Sequence, residues 1–405
     1  PASAAGVTSE APGAEAAAGV AAAPEPKPKP KPVASPQRSP VNDLKAAHKL
    51  VQRSKHAFGS TALCLSGGAA MGNYHFGIVK ALFEGDCLPD IISGTSAGAV
   101  VGAFVCTRSD DELRRDLCRE VLLQRLTCFN KSWGECLAHF VRKGALFGQG
   151  DWLACIKWWT FDTMTFEEAY QKTGRVLNIT LSVANRQSPP ILVNHITAPN
   201  VVVGSAVLAS AAVPGFINPM RLRIKGEDGV VRVHDNAELY FDGSITQDIP
   251  IAGLAETFNC RFFLTSQCNP HVVPFFFSSK GAVGQPSRWS RYDVDESWRG
   301  GFLLSVLEAY LKVDMQSKMA FLKIIEAAPG VTGTVMTQDF EGSVTIVPRV
   351  AFEDFFKLMS DPSPRDMDRY LQRGQVAAWG KIALLKHHYK LARRLEECLS
   401  ELEAQ

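Results

Sequence analysis

Residues 90–104 read Asp-Ile-Ile-Ser-Gly-Thr-Ser-Ala-Gly-Ala-Val-Val-Gly-Ala-Phe. This stretch predicts an apolar strand, a tight turn with Ser96 at its apex, and an apolar helix. Gly94 and Gly98 lie two positions before and two positions after the serine, and they allow a strained turn that lifts the hydroxyl from the strand end. A strand that feeds a helix through such a turn favours an α/β fold with a mainly parallel sheet.

A second glycine-bearing loop lies one strand–helix–strand unit earlier. Residues 66–72 read Ser-Gly-Gly-Ala-Ala-Met-Gly, after the predicted strand Thr61–Leu65 and before the predicted helix Tyr74–Phe83. Backbone N–H groups at a helix start are unpaired and can hold an anion. In ester hydrolysis that anion is the oxygen of the tetrahedral intermediate. One loop therefore offers a nucleophile and the other an oxyanion hole.

Each loop has an alternative interpretation when it is taken alone. Gly-x-Ser-x-Gly occurs often by chance, and a glycine-rich loop also holds the pyrophosphate of a dinucleotide. However, the spacing from Gly67 to Gly72 is not that of the dinucleotide motif, and the next strand ends at Ser93 without an acidic residue. The presence of both loops in one βαβ unit favours acyl transfer.

Composition excludes several other classes. The chain has 405 residues, 46% of them hydrophobic, and a net charge of +2, which argues against nucleic acid as the main partner. Its ten cysteines are scattered and its nine histidines form no metal-binding pattern, so we expect free thiols, no metal and no cofactor. The best candidate for a membrane span, residues 201–217, is short and is interrupted by Pro214-Gly215. It predicts a buried element, not a membrane span.

The sequence predicts four segments. These are a disordered Ala/Pro-rich tail over residues 1–43, a lead-in helix over 44–60, an α/β catalytic domain over 61–273, and an aromatic loop with a helical extension over 274–405. The predicted strands are Thr61–Leu65, Leu88–Ile92, Arg175–Ser182, Pro190–His195 and Arg261–Ser266, and the predicted helices of the domain are Tyr74–Phe83, Ala97–Cys106, Asp110–Leu126 and Phe166–Lys172.

Two features of the last segment each allow two interpretations. Phe275–Phe277 belong to a turn-rich loop that either contacts lipid or packs on the domain. A helix is predicted over residues 301–327, and a second one carries an apolar stripe from Ile382 to Leu402. That amphipathic helix either docks on its own domain or lies on a membrane.

A serine nucleophile needs a base. The strongest candidate is Asp242, which follows the apolar run Leu239–Phe241 and precedes Gly243. An Asp-Gly pair is also common in turns that have no chemical role. A histidine base, His75 or His271, is the alternative, as in triads of the order Ser, Asp, His.

With these residues in place, the chain resembles the patatin-like phospholipases. The glycine loop, the Ser96 turn and Asp242-Gly243-Ser244 occur in the order of that family's motifs. The resemblance covers residues 55–275 and is closest to the triacylglycerol lipases of yeast and plant seeds, the sugar-dependent lipases. Further similar segments are Lys55–Gly59, Met71–Gly77, Met164–Tyr170, Ala212–Gly215 and Ser266–His271.

The resemblance implies a three-layer α/β/α fold with a mainly parallel sheet. It also implies a Ser–Asp dyad without histidine, with Ser96 as nucleophile and Asp242 as base. The N–H groups of Gly67, Gly68 and Ala69 would form the oxyanion hole, supported by the conformational freedom of four further glycines. Those supporting residues are Gly72, Gly94, Gly98 and Gly243.

Two positions depart from many patatins. Ala69 replaces a glycine, which backbone donation tolerates if φ is negative there, and Met71 stands where a basic residue is common. The storage-lipid branch also lacks that basic residue, so Met71 favours this branch. The branch's N-terminal helical domain would be absent or truncated here, and none of the nine histidines begins the His-x-x-x-x-Asp acyltransferase pattern.

The resemblance further implies a neutral glyceride or phospholipid substrate. Triacylglycerol hydrolysis is the first expectation, and a phospholipase A or lysophospholipase of the same fold is the alternative. An intracellular, peripheral position on a lipid droplet or the ER membrane would follow from this substrate. A catalytically silent lipid-droplet binding protein is the non-enzymatic alternative, which three intact motifs disfavour.

Overall fold

The computed structural model describes residues 40–129, 133–184, 188–235, 238–273 and 340–404, together with Tyr310 and Gln338. The predictions for the Ala/Pro-rich tail up to residue 39, for Phe275–Phe277 and for the helix over 301–327 lie outside the described residues. The chain divides into residues 1–46 and residues 47–405, and the second unit contains the sheets and the candidate site.

The strands follow one another as β1 (Ser60–Leu65), β2 (Ile91–Gly94), β3 (Val176–Val183), β4 (Ile191–Val193), β5 (Arg223–Lys225), β6 (Val231–Val233), β7 (Tyr240–Asp242), β8 (Cys260–Ser266) and β9 (Val344–Ile346). Seven of the described strands form one sheet of order β4-β3-β2-β1-β8-β9, in which β7 also pairs with β3. Strands β1, β2, β3, β8 and β9 are parallel, whereas β4 and β7 run antiparallel to β3. The fold is thus of the mainly parallel α/β class that the sequence predicts.

The helices are α1 (Pro40–Phe58), α2 (Tyr74–Glu84), α3 (Ala97–Cys106), α4 (Asp110–Asp116), α5 (Arg119–Arg125), α6 (Trp133–Lys143), α7 (Gln149–Trp159), α8 (Phe166–Thr173), α9 (Val203–Ser210), α10 (Ile251–Phe258) and α11 (Pro364–Glu403). Short 3₁₀ turns cover Ala69–Asn73, Gly243–Ile245 and Phe352–Phe356. Within the described ranges, no helix is both long and apolar enough to span a bilayer.

The side chains of β1 show why the sheet is covered on both faces. Leu63 and Leu65 point into the large core that includes α2 and α3, while Ala62 and Cys64 join a second cluster with Leu254 of α10. Successive strand residues point to opposite faces, so an unbroken apolar strand requires a helical layer on each side. This gives the three layers that the family resemblance implies.

The register of the parallel strands brings the two glycine loops together. Leu65, the last residue of β1, pairs with Gly94 of β2 and with Ser266 of β8. The glycine loop leaves β1 and the Ser96 turn leaves β2, so both begin at the same edge of the sheet. In open α/β sheets this carboxyl edge is where ligands bind.

The predicted strands and most predicted helices are confirmed with shifts of a few residues at their ends. The helix predicted over Asp110–Leu126 is wrong as a single helix, because the chain breaks at Leu117–Cys118 into α4 and α5. The capping box of Ser109 and Glu112 is present at the start of α4. Strand β9 lies beyond residue 273, where the sequence predicts only a loop and helices.

The 40-residue helix α11 docks on the domain and packs closely against α2. A methyl group on Gly374 would lie 2.4 Å from the carbonyl oxygen of Tyr74, and one on Gly77 would lie 2.3 Å from that of Leu371. Such separations are below any real contact, so glycine is required on both helices for this approach. Since α2 begins directly after the glycine loop, α11 supports that loop from behind.

Candidate active site

Ser96 occupies a strained turn between β2 and α3. Its φ is 54° and its ψ is −121°, a conformation that is costly for a residue with a side chain. Its backbone N–H donates to the hydroxyl of Ser210 at 3.0 Å, and that hydroxyl donates to the carbonyl of Thr180 at 2.9 Å. The predicted nucleophile turn therefore exists, and α9 and β3 hold it in place. The Ser96 side chain is partly exposed.

Close backbone packing explains the glycines around Ser96. A methyl group on Gly98 would lie 2.2 Å from the carbonyl oxygen of Leu65, and one on Gly94 would lie 2.3 Å from that of Gly98. A methyl group on Gly72 would lie 2.5 Å from the β-carbon of Ala97. The 3₁₀ turn of the glycine loop thus rests directly on the first residue of α3, beside the serine.

Asp242 ends β7 and is fully buried. Its Oδ1 accepts the N–H of Ser244 at 2.8 Å, and its own N–H donates to the carbonyl of Ala212 at 3.1 Å. A methyl group on Gly243 would lie 2.3 Å from the carbonyl oxygen of Thr180, so glycine is required directly after the aspartate. The β7 turn therefore fixes the carboxyl with one oxygen hydrogen-bonded.

The other carboxyl oxygen of Asp242, Oδ2, is buried and has no hydrogen-bond partner among the described residues. Burial raises the pKa of Asp242 to about 6, while the N–H of Ser244 and the hydroxyl of Ser96 lower it. The Ser96 hydroxyl thus lies close enough to the carboxyl to lower its pKa, but the two groups are not within hydrogen-bonding geometry. The structure brings the two side chains together as neighbours.

The raised pKa changes the chemistry that Asp242 can perform. An ordinary aspartate, with a pKa of about 4, is a weak base for a serine hydroxyl. A buried carboxyl with a pKa of about 6 is still mostly ionised near neutral pH but accepts a proton more readily. The N-terminus of α3 at Ser96 adds a favourable field for negative charge on the serine oxygen.

The glycine loop departs from prediction in two details. The N–H of Gly67 donates to Oδ1 of Asp248 at 2.8 Å, so this amide is engaged within the protein. The N–H groups of Gly68 and Ala69 donate to none of the described residues. The condition set for backbone donation at Ala69, a negative φ, is not met, because φ is 48° there. The residue is exposed.

The two histidine candidates occupy other environments. His75 is fully buried; its Nδ1 lies 2.6 Å from the Ser266 hydroxyl and its Nε2 lies 3.0 Å from the carbonyl of Ser66. Burial lowers the pKa of His75 to about 4, so the ring is neutral and both its nitrogens are engaged. His271 packs edge-on against Phe340 with ring centres 5.6 Å apart, and its Nε2 has no partner among the described residues. Neither ring is hydrogen-bonded to Ser96 or Asp242.

Three residues that the sequence does not mark as site residues contact the candidate site. Ser210 holds the amide of Ser96, Asp248 holds the amide of Gly67, and Asn269 donates to Oδ2 of Asp248 at 2.8 Å. Asn269 lies in the Ser266–His271 segment that resembles the family, but that resemblance gives it no role. Ser210 and Asp248 lie in no motif singled out from the sequence, and each contacts a residue that is distant in the chain.

Comparison with known proteins gives a consistent result. The profile of a family described as patatin-like phospholipase matches residues 63–255. A patatin-like phospholipase domain-containing protein of Cryptococcus neoformans is 41% identical over 354 residues, which cover 86% of this chain and 40% of that protein. A protein of the same description from Neurospora crassa is 43% identical over 343 residues, with 84% and 39% covered. The chain spans about 40% of the length of these two relatives.

Similarity to solved structures is weaker. The crystal structure of VipD from Legionella pneumophila matches with a TM-score of 0.37 and 13% sequence identity, and the match covers 82% of this chain and 67% of that one. A score at this level does not support a conclusion about the site.

Proposed function

This chain belongs to the patatin-like phospholipase family, and on that premise we propose that it hydrolyses lipid acyl esters through Ser96 and Asp242. The observation that carries the proposal is the buried Oδ2 of Asp242, which has no hydrogen-bond partner among the described residues although the Ser96 hydroxyl is its neighbour. An orphaned carboxylate oxygen beside a strained, partly exposed serine is what a proton acceptor for that serine requires.

In the first half-reaction Oδ2 of Asp242 takes the proton of the Ser96 hydroxyl as Oγ bonds to the ester carbonyl carbon. The carbonyl oxygen becomes the oxyanion, and the N–H groups of Gly68 and Ala69 stabilise it. Both amides are free of partners among the described residues, as an oxyanion hole requires. Collapse of the intermediate releases the alcohol, which takes the proton from Asp242, and leaves an acyl group on Ser96.

The second half-reaction repeats these steps with water. Oδ2 of Asp242 takes one proton of the water as its oxygen bonds to the acyl carbon. The same two amides hold the oxyanion, and its collapse breaks the bond to Ser96 Oγ, which regains the proton. The fatty acid leaves and the dyad is restored. Ser96 supplies the nucleophile, Asp242 the base, and the amides of Gly68 and Ala69 the oxyanion donors.

We further propose that the substrate is a neutral glyceride, with triacylglycerol as the first candidate. The support is the resemblance of the Met71–Gly77 and Met164–Tyr170 segments to the storage-lipid branch of the family. Met71 itself is fully buried against Tyr74, Cys268 and Tyr370, so this position contributes to packing behind the glycine loop. The buried methionine leaves no positive charge at this point of the loop.

The dyad is tested with a fluorophosphonate probe and a soluble p-nitrophenyl ester. Labelling and turnover are expected in the wild-type chain and lost in Ser96→Ala and Asp242→Asn. Ser93→Ala is the matched control, since Ser93 lies on β2, the strand that leads into the Ser96 turn, and its buried hydroxyl has no partner among the described residues. Full turnover in Ser96→Ala, or in a folded Asp242→Asn, would overturn the assignment.

The substrate is tested by measuring fatty acid release from triolein emulsions and from phosphatidylcholine vesicles side by side. Faster release from triolein supports the glyceride proposal. Faster release from the phospholipid would leave the dyad intact and replace the substrate with a membrane phospholipid. Release from neither, in a chain that labels with the probe, would contradict both substrates.

A further inference from the structure

A second buried carboxylate, Asp248, lies beside the candidate site, and the scheme above does not use it. Only 2% of its surface is exposed. Its Oδ1 accepts the N–H of Gly67 at 2.8 Å, and its Oδ2 accepts the side-chain amide of Asn269 at 2.8 Å. Both oxygens therefore accept hydrogen bonds from protein donors, and burial keeps the group from solvent.

The backbone of Asp248 makes two further contacts. Its carbonyl accepts the hydroxyl of Thr95 at 2.7 Å, and Thr95 directly precedes Ser96. Its N–H donates to the side-chain oxygen of Gln338 at 2.7 Å. The residue thus holds the glycine loop through its side chain and the serine turn through its main chain, at the carboxyl edge where β1 and β2 end.

A buried carboxylate is costly unless hydrogen bonds replace its water. Among the described residues Asp248 forms no ion pair, and amide donors satisfy its two oxygens. The negative charge of Asp242 opposes the ionisation of Asp248. The contacts that keep this carboxyl buried are therefore the ones that join the two loops, through Gly67 on one side and Thr95 on the other.

We propose that Asp248 is a positioning residue that fixes the glycine loop against the serine turn, so that the free amides of Gly68 and Ala69 face the oxygen of the ester carbonyl that Ser96 attacks. This inference rests on the proposed function. Asp248 contacts neither the substrate nor the reacting atoms. It acts through Gly67, whose N–H donates to its carboxyl. This hydrogen bond orients the next two residues of the loop, Gly68 and Ala69.

The consequence for the reaction is specific. Oxyanion contacts strengthen in the transition state, so their misplacement lowers kcat and leaves substrate binding nearly unchanged. A displacement of about 1 Å at a positioned group costs on the order of 100-fold in rate. Loss of the Asp248 side chain is therefore expected to lower kcat at nearly constant KM. A smaller folded fraction would also lower the apparent kcat at constant KM, so hydrogen exchange of the loop and a control variant are needed to distinguish the two causes.

The test combines steady-state kinetics on a soluble p-nitrophenyl ester with amide hydrogen exchange of the peptide over residues 66–73, measured by mass spectrometry on the full chain. Asp248→Ala removes both acceptors, and Asp248→Asn keeps one acceptor for Gly67. Asp116→Asn is the control for loss of a buried carboxylate, because Asp116, the last residue of α4, pairs with Arg108 and Arg115 and takes no part in the loops. Thr95→Val releases only the serine turn.

In Asp248→Ala we expect faster exchange in the 66–73 peptide and a fall in kcat of about 10- to 100-fold, with KM within about twofold. Asp248→Asn should recover most of the rate and the slow exchange. Thr95→Val should lower kcat without faster exchange in that peptide, which keeps the test decisive if Asp248→Ala does not fold. Asp116→Asn should change neither quantity.

Several results would overturn the proposal. These are unchanged kcat in Asp248→Ala, unchanged exchange in that variant, an equal loss in Asp116→Asn, or unchanged kcat in Thr95→Val. A wild-type chain without turnover would instead reject the proposed function, and the catalytic role of Asp248 with it. The exchange comparison would then still decide separately whether Asp248 holds the glycine loop.

Discussion

The backbone N–H of Ser96 donates a hydrogen bond to the hydroxyl of Ser210 at 3.0 Å. Ser210 is the last residue of α9, and its hydroxyl donates a hydrogen bond to the carbonyl of Thr180 on β3 at 2.9 Å. The strained turn of the candidate nucleophile is thus held from outside its own strand–helix unit. The amide of Ser96 is also engaged, so it is not a free donor for an oxyanion.

Ser210→Ala is expected to weaken both the turn and the reaction. It removes the partner of the Ser96 amide and a donor to the carbonyl of Thr180, which costs about 1–3 kcal/mol of unfolding free energy. Turnover of a soluble ester should fall by about tenfold, the effect of roughly 1.4 kcal/mol on the barrier. Urea unfolding and ester kinetics measure the two effects.

Ser205→Ala is the matched control for that change, because Ser205 is a buried hydroxyl on the same helix that bonds to Val202 and Arg223 instead. It should lower stability by a similar amount and leave turnover within about twofold of the wild type. Equal loss of turnover in both variants would show that Ser210 acts through stability alone.

The rate of hydrolysis should depend on the ionisation of Asp242. The base must be ionised to take the serine proton, and burial raises its pKa to about 6. Turnover at saturating substrate should therefore rise with pH through about 6 and level off above it. A pH profile that is flat from 5 to 8, the region about the group's raised pKa, would contradict Asp242 as the base.

Asp242→Asn is expected to stabilise the fold at alkaline pH while it removes activity. The pKa of Asp242 is raised from 3.8 in the unfolded chain to about 6, so the folded state favours the protonated form. Its contribution to stability is fully present below pH 3.8 and is lost as the pH rises through about 6. The difference corresponds to about 3 kcal/mol, at about 1.4 kcal/mol per pKa unit.

The melting temperature of Asp242→Asn should thus equal that of the wild type near pH 4 and exceed it by several degrees at pH 8, the pH range that spans the raised pKa. Differential scanning calorimetry across this range checks the prediction. A lower melting temperature than the wild type at pH 8 would mean that the ionised carboxyl is stabilised in the fold.

His271→Ala tests the histidine alternative. His271 is hydrogen-bonded to neither Asp242 nor Ser96, and its ring packs on Phe340. We expect turnover of a soluble ester to stay within about twofold of the wild type, because the variant removes a packing contact and no proton acceptor. A loss of about 100-fold or more, the scale of general base catalysis, would restore a Ser–Asp–His triad.

Gly374→Ala is expected to separate α11 from α2. The added methyl would meet the carbonyl oxygen of Tyr74 at 2.4 Å, so one of the two helices must shift. The cost should be about 1–3 kcal/mol of unfolding free energy or more, as for other overpacked cores. Denaturant unfolding provides the measurement.

Gly380→Ala, on the same helix, serves as the control for Gly374→Ala. No atom lies within 4 Å of its added methyl, so it should be neutral or stabilising by up to about 1 kcal/mol. Equal effects of the two substitutions would show that the close approach at Gly374 does not limit the packing of α11.

The parts of this protein that are local in the chain could be predicted from the sequence. The Ser96 turn, the glycine loop, Asp242 and the strands β1, β2, β3, β4 and β8 all follow from glycine spacing and apolar runs. These patterns depend on the φ and ψ that neighbouring residues can adopt, which a few consecutive residues determine. The helix predicted over Asp110–Leu126 failed because its break at Leu117–Cys118 carries neither glycine nor proline.

The tertiary structure alone decided which groups meet at the carboxyl edge of the sheet. Asp248 contacts Gly67 across 181 positions of chain, and Ser210 contacts Ser96 across 114. It also decided the chemical state of each group, since burial raises the pKa of Asp242 and lowers that of His75. A sequence fixes what each short segment prefers, whereas desolvation and long-range hydrogen bonds exist only once the segments have packed together.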